Sequence, residues 1–227
     1  MTVVEFVEGG SLDNIFKERA KPLHLGRFQR IFLGISRGVE YLHSLNVVHG
    51  DLHPGNVLVE RSGHPYLSDF GLSHMCYNTT TVKSLCASQE GGHYRYMAPE
   101  LRQKIEQHFH TSTESDIFSL AMTFLYAWSR QKPFSDIANE EGVLTRLLNK
   151  GRPEHPKVTA PLSPLEGRGT RLWVLIEDMW AHDPAERPLS GEVVERLELV
   201  FSAETPTSEG SSQTEENSAV SGRTGEA

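Results

Sequence analysis

One stretch constrains this chain more than any other: Val47-Val48-His49-Gly50-Asp51-Leu52-His53-Pro54-Gly55-Asn56-Val57-Leu58-Val59. Two β-branched residues lead into a polar loop, and three apolar residues leave it as a short buried strand. A polar loop between apolar flanks sits at the mouth of a core, where functional groups concentrate. The loop carries Asp51 and, five positions later, Asn56. An Asp beside an Asn can orient a hydroxyl while the amide oxygen ligates a hard cation such as Mg²⁺. Asp, Asn, Gly and Pro are also the common turn formers, so a solvated turn accounts for the loop taken alone.

The chain beyond the loop separates these alternatives. Ser68-Asp69-Phe70-Gly71, Met97-Ala98-Pro99-Glu100, Asp116 and Arg187 follow in that order. Here the sequence resembles the C-terminal lobe of eukaryotic protein kinases, whose catalytic loop H-R-D-L-x-x-x-N is followed by D-F-G and A-P-E. The resemblance runs from Met1 to Phe201. Trp180-Ala181-His182-Asp183-Pro184-Ala185-Glu186-Arg187-Pro188 is similar to the C-W-x-x-D-P-x-x-R-P signature of the tyrosine-kinase-like group. It implies a mainly α fold with short β hairpins, a protein-kinase-like C-terminal lobe plus hinge strand, over residues 1–201.

The resemblance also assigns roles. Asp51 becomes the catalytic base, and His53 takes the place of a Lys that steadies the transferred phosphate. Asn56 and Asp69 become the Mg²⁺ ligands. Glu5 and Val7 supply hinge backbone to the adenine, Val4 is the gatekeeper, Asp13 lies near the ribose, and Leu58 joins the cofactor side. ATP, Mg²⁺ and a protein substrate bearing Ser or Thr are implied. His49 packs beside the D-F-G turn, Asp116 grips the catalytic-loop backbone, and Glu100 pairs with Arg187.

Three positions depart from the pattern. Gly50 replaces the Arg that pairs with an activation-loop phosphate, so phosphorylation cannot switch the chain through that pair. His53 carries positive charge only when protonated. His93 stands where the family often has Thr, in the loop Gly92-His93-Tyr94-Arg95-Tyr96-Met97 that receives the substrate. These departures keep a second function class open, a kinase-like scaffold without catalysis.

The rest reads as framework. Phe28, Ile31, Phe32, Ile35, Val39 and Leu42 recur at helical spacing, and the helix ends near Asn46, a left-handed cap. Ser11 caps a short helix with Leu12, Ile15 and Phe16 inward. Asp116 opens a helix from Ile117 to Trp128 that is apolar nearly all round and therefore buried. Val143, Leu144, Leu147 and Leu148 give a helix stopped at Gly151. Leu172 to Trp180 gives another, and Ser190 caps a last one carrying Val193, Val194, Leu197 and Phe201. Strands are expected near Val3–Val7, Val57–Val59 and Tyr66–Ser68.

Residues 72–96 lack periodicity and match the activation segment, with Thr79, Thr80, Thr81, Ser84 and Ser88 as hydroxyls open to modification. The first residues open directly on the hinge strand. The Gly-rich loop and the phosphate-binding Lys of an N-lobe are therefore expected to lie outside this sequence. Residues 202–227 turn to Ser, Thr, Glu and Gly, a composition that favours disorder. The net charge of −8 argues against nucleic acid and anionic membranes as partners. Cys76 and Cys86 make no disulfide framework, and no zinc-ligand spacing accompanies them. With no secretory h-region, the expectation is a soluble cytoplasmic protein of undetermined oligomeric state.

Overall fold

The computed structural model describes residues 7–18, 23–69, 73–75, 93–103, 111–156, 165 and 167–202. Seven α-helices and four short strands occur among them: α1 (Leu12–Glu18), α2 (Leu25–Ser44), β1 (Val47–Val48), β2 (Val57–Val59), β3 (Pro65–Leu67), β4 (His74–Met75), α3 (Pro99–Gln103), α4 (Thr113–Ser129), α5 (Glu140–Leu148), α6 (Gly169–Met179) and α7 (Ser190–Ser202).

Helix α4 is the axis. Every residue from Ser115 to Trp128 is buried, as an all-round apolar helix requires. Its buried hydroxyls are satisfied along its own backbone, Ser119 donating to the Ser115 carbonyl and Thr123 to that of Ser119. The helix begins three residues before Asp116, because Ser112 and Ser115 form a reciprocal capping box. It ends where Arg130 turns left-handed at φ 58°.

Helix α2 lays Phe28, Ile31, Phe32, Ile35 and Val39 against this axis and against α7. The Phe32 ring stacks on Phe28 at 4.1 Å and on Phe124 of α4 at 4.2 Å, while Phe201 meets Phe28 and Phe32 edge-on. Asn46, at φ 57°, closes the helix as expected. On the opposite side of α2, Gly34 lets the β2–β3 hairpin approach, since a Cβ there would lie 2.4 Å from the Pro65 ring.

The strands form two antiparallel pairs. In β2–β3, Val57 pairs with Leu67, Leu58 with Tyr66 and Val59 with Pro65. Strand β3 starts and ends one residue before the expected Tyr66–Ser68, because Asp69 takes φ 60° and turns the chain off the ladder. The second pair, β1–β4, joins Val47 to Met75 and Val48 to His74. Its partners come from opposite sides of the catalytic loop, a long-range pairing that local patterning does not reveal.

Helix α5 is capped by the Asn139 side chain, and Lys150 at φ 60° takes the left-handed position just before Gly151. Ser190 is the first residue of α7 rather than its cap; the preceding amide, that of Leu189, donates to the Glu192 carboxylate at 2.7 Å. The expected hinge strand lies almost wholly outside the described residues, as do Thr79, Thr80, Thr81, Ser84, Ser88, Cys76, Cys86 and residues 203–227. Among the described residues no helix is long and apolar enough to cross a membrane.

Candidate active site

The site is held from below by Asp116, which is 1 % exposed. Its Oδ2 accepts the His49 amide at 2.8 Å, and its Oδ1 accepts the Gly50 amide at 2.9 Å. His43, in the last turn of α2, lies with Nε2 3.0 Å from the same Oδ2. One carboxylate thus ties α4, the end of α2 and the start of the loop together. Gly50 sits at φ 80°, the left-handed region that a side chain disfavours.

His49 is fully buried. Its Nδ1 accepts the Asp51 amide at 3.3 Å, so the ring proton belongs on Nε2, which donates to the Ser68 carbonyl at 3.2 Å. Burial pushes its pKa down, outweighing the upward pull of the Asp116 charge. His49 therefore bridges the catalytic loop to the end of β3, and Ser73 closes the same corner by donating to the His49 carbonyl at 3.1 Å.

Asp51 and Asn56 meet directly. The Asn56 amide nitrogen donates to the Asp51 carbonyl at 2.8 Å and to its Oδ2 at 3.2 Å. This orientation turns the Asn56 amide oxygen away from Asp51. The main-chain carbonyl of Asn56 accepts both the amide and the hydroxyl of Ser68, at 2.9 and 3.1 Å. Asp69 is the next residue, so the structure brings the backbones carrying Asn56 and Asp69 side by side. An amide oxygen and a carboxylate are the hard donors Mg²⁺ takes, and the donor set fits that ion.

His53 folds back over its own turn. Its Nδ1 accepts the Gly55 amide at 3.0 Å, which leaves the proton of the neutral ring on Nε2, 3.7 Å from Asp51 Oδ2. That separation is too long for a hydrogen bond. The ring centroid lies 6.2 Å from that of Tyr96, in the turn His93–Tyr96.

The residues expected on the nucleotide side are more scattered. Glu5 lies outside the described residues, as does Val4. Val7 is half-buried and accepts the Gly10 amide. Leu58 is half-buried in β2, bridged to Ser11 on one side and Tyr66 on the other. Asp13 faces α4: its carboxylate accepts the Tyr126 hydroxyl at 2.6 Å and Lys17 Nζ at 2.5 Å. Burial works to raise its pKa, but these two donors outweigh burial and hold it below the usual range. Burial pushes the Tyr126 hydroxyl up in turn.

Glu100 and Arg187 come together as a two-pronged pair, Nη1 to Oε1 at 2.7 Å and Nη2 to Oε2 at 2.9 Å. The Arg187 guanidinium also donates to the carbonyls of Ala181 and Glu114 and lies 5.2 Å from the Phe118 ring centroid. Sequence reasoning missed Arg95. It lies in a polar stretch without periodicity, and nothing in the pattern separates it from a solvated charge, yet it is 6 % exposed.

The protein kinase domain family matches residues 1–197, and the chain belongs to it. A probable serine/threonine-protein kinase of Dictyostelium discoideum is 31 % identical over 86 % of this chain and 13 % of its own length. Receptor-interacting serine/threonine-protein kinase 2 of Bos taurus is 32 % identical over 88 % of this chain and 37 % of its own. Serine/threonine-protein kinase STY17 of Arabidopsis thaliana is 28 % identical over 86 % and 31 %. The chain thus spans well under half the length of these relatives.

Proposed function

We propose that this chain is the helical catalytic lobe, with hinge, of a tyrosine-kinase-like Ser/Thr protein kinase that moves the γ-phosphate of ATP to protein hydroxyls. Protein kinases in general use ATP and a divalent metal, and the Ser/Thr relatives favour that acceptor. The observation that carries the proposal is the Asp51–Asn56 contact on a backbone clamped by Asp116.

Each residue has a task in this scheme. Asp51 accepts a hydrogen bond from the acceptor hydroxyl and aims its oxygen for in-line attack. The Asn56 donation to Asp51 Oδ2 holds that carboxylate while its own amide oxygen, with Asp69, would hold Mg²⁺. The metal supplies charge neutralisation on the phosphates. Phosphoryl transfer depends on positioning and charge more than on covalent steps, which suits a loop tied at so many backbone atoms. Glu5 and Val7 are assigned to the adenine, Leu58 to the cofactor side, and Asp13 to the neighbourhood of the ribose. Residues 1–201 form the domain in this scheme, and residues 202–227 a tail.

One observation favours the scaffold alternative. The His53 ring spends Nδ1 on a backbone amide rather than offering a fixed positive charge to a phosphate. Phosphate transfer from labelled ATP by the full-length protein separates the two. Asp51→Asn should lower turnover by on the order of 10³-fold or more. An Asp51→Asn protein as active as its parent removes Asp51 from the mechanism, and a parent with no transfer favours the scaffold.

A further inference from the structure

We propose that Arg95 is a positioning residue that sets the substrate-receiving turn against the catalytic loop, an inference that rests on the kinase function proposed above. Its guanidinium is enclosed by a single turn of the α4–α5 connection. Nη1 donates to the Pro133 carbonyl at 3.0 Å and to that of Phe134 at 2.6 Å. Nη2 donates to the Ile137 carbonyl at 2.8 Å, and Nε to Glu140 Oε1 at 3.2 Å. Three backbone carbonyls thus converge on one buried cation. Phe134 takes φ 57°, a left-handed conformation that is costly for a residue with a Cβ. A turn that converges on the guanidinium despite this cost owes its shape in part to Arg95.

The geometry of the donor matters. A guanidinium is planar, with its N–H groups in fixed directions, so bonds from Nε, Nη1 and Nη2 resist both sliding and rotation. An ammonium at the same place would keep the charge but not the direction.

Arg95 also has a reach toward the chemistry. The next residue, Tyr96, is buried, and its ring lies 6.2 Å from that of His53, which in turn stands 3.7 Å from Asp51 Oδ2. The path runs from the α4–α5 turn through Arg95 and Tyr96 to the catalytic loop. The far end of the same segment is fixed separately, by Glu100 on Arg187. Releasing Arg95 therefore frees the front of the segment only, the part facing the acceptor hydroxyl. The partners of the Arg95 guanidinium named above, Pro133, Phe134, Ile137 and Glu140, all lie on the α4–α5 side, away from the nucleotide. The loss should fall on the protein substrate and spare the nucleotide.

The test compares the full-length protein, N-lobe included, with its Arg95→Met and Arg95→Lys variants. Arg95→Met should lower kcat/KM for a protein substrate on the order of 10- to 100-fold, the scale of a misplaced reactant. The KM for ATP should stay within about twofold. Arg95→Lys should recover only part of the loss. Equal changes toward ATP and protein, an unchanged protein kcat/KM, or a lowered kcat with both KM values intact (a smaller active fraction) would overturn the proposal. A parent without any phosphate transfer breaks the kinase assignment instead, and hydrogen exchange then decides the role of Arg95. In that case Arg95→Met should raise exchange at residues 94–98 and 134–139 together while α2 and α6 stay protected. A change in one of those segments alone, a change spread over the whole chain, or no change at all would overturn it.

Discussion

The corner around Asp116 and the base around Phe32 are equally buried and are held by opposite means. At the base, Phe28, Phe32, Phe124 and Phe201 meet ring on ring, and any apolar group of the right volume would serve there in part. At the corner, polar atoms are matched to one another: two amides and an imidazole on one carboxylate, two donors on one carbonyl. The base buries area and tolerates exchange of shape. The corner fixes positions to within a bond length and tolerates little, because a lost partner leaves a buried donor or acceptor unpaired.

The sharpest way to break the comparison is Asp116→Leu, which keeps the volume roughly but removes the acceptor. With about 1–3 kcal/mol for each buried donor left unpaired, the loss should reach roughly 3–6 kcal/mol in urea unfolding. A loss under about 1 kcal/mol would show that the corner is no more demanding than the base.

Met122→Leu in the same helix is the counterpart. Met122 is fully buried among apolar groups, so a volume-conserving change should cost less than about 1.5 kcal/mol. A larger cost would mean that shape in the apolar core is as strictly specified as bonding at the corner.

Acidity gives a third handle. The pKa of His49 lies below its ordinary 6.5 in the folded chain because burial disfavours the charged ring. The unfolded state therefore binds the proton more readily. The His49 contribution is complete above about pH 6.5 and is lost as pH falls through the folded pKa. Replacing His49 with Phe should flatten the fall in melting temperature on the acid side of pH 6.5. Identical slopes for the two proteins would place the acid sensitivity elsewhere.

The smallest effect belongs to a pair in neither region. Arg37 and Glu198 lie 2.7 Å apart between α2 and α7, with both side chains at least half exposed. Arg37→Ala should cost no more than about 1 kcal/mol, and less as salt is added.

The same contrast explains what the sequence could disclose. Phe28, Ile31, Phe32, Ile35 and Val39 announce the base, because burial imposes a period on a helix, and Asn46 announces its end. The run Asp51 to Asn56, with Asp69 following, disclosed a candidate site because its residue types are tied to chemistry at fixed spacing. The Asp116 contacts could be named only through the family resemblance, since an acid in an apolar run does not say which amides it meets. Arg95, His43 and the Tyr126–Asp13 bond stayed hidden. Their partners lie 45 or fewer residues away for Arg95, 73 for His43 and 113 for Asp13, with no local periodicity to mark them. Strand β4 was missed for the same reason, as its pairing closes across the loop.

The doubled bond at the Asn56 main-chain carbonyl has a bearing on how this site can be mapped by mutation. That oxygen sets the interval between the backbones of the two assigned metal ligands, and it belongs to no side chain. A scan of all substitutions at position 56 would report on the amide group alone and leave the spacing untouched. Of the two donors, the Ser68 amide is likewise beyond reach, so only the Ser68 hydroxyl can be edited. A tolerance map of this loop would therefore record position 68 as a modest, second-rank site while the geometry it guards passes unseen. Ser68→Ala read against Asn56→Ala separates ligand loss from spacing loss where a scan by single positions would merge them.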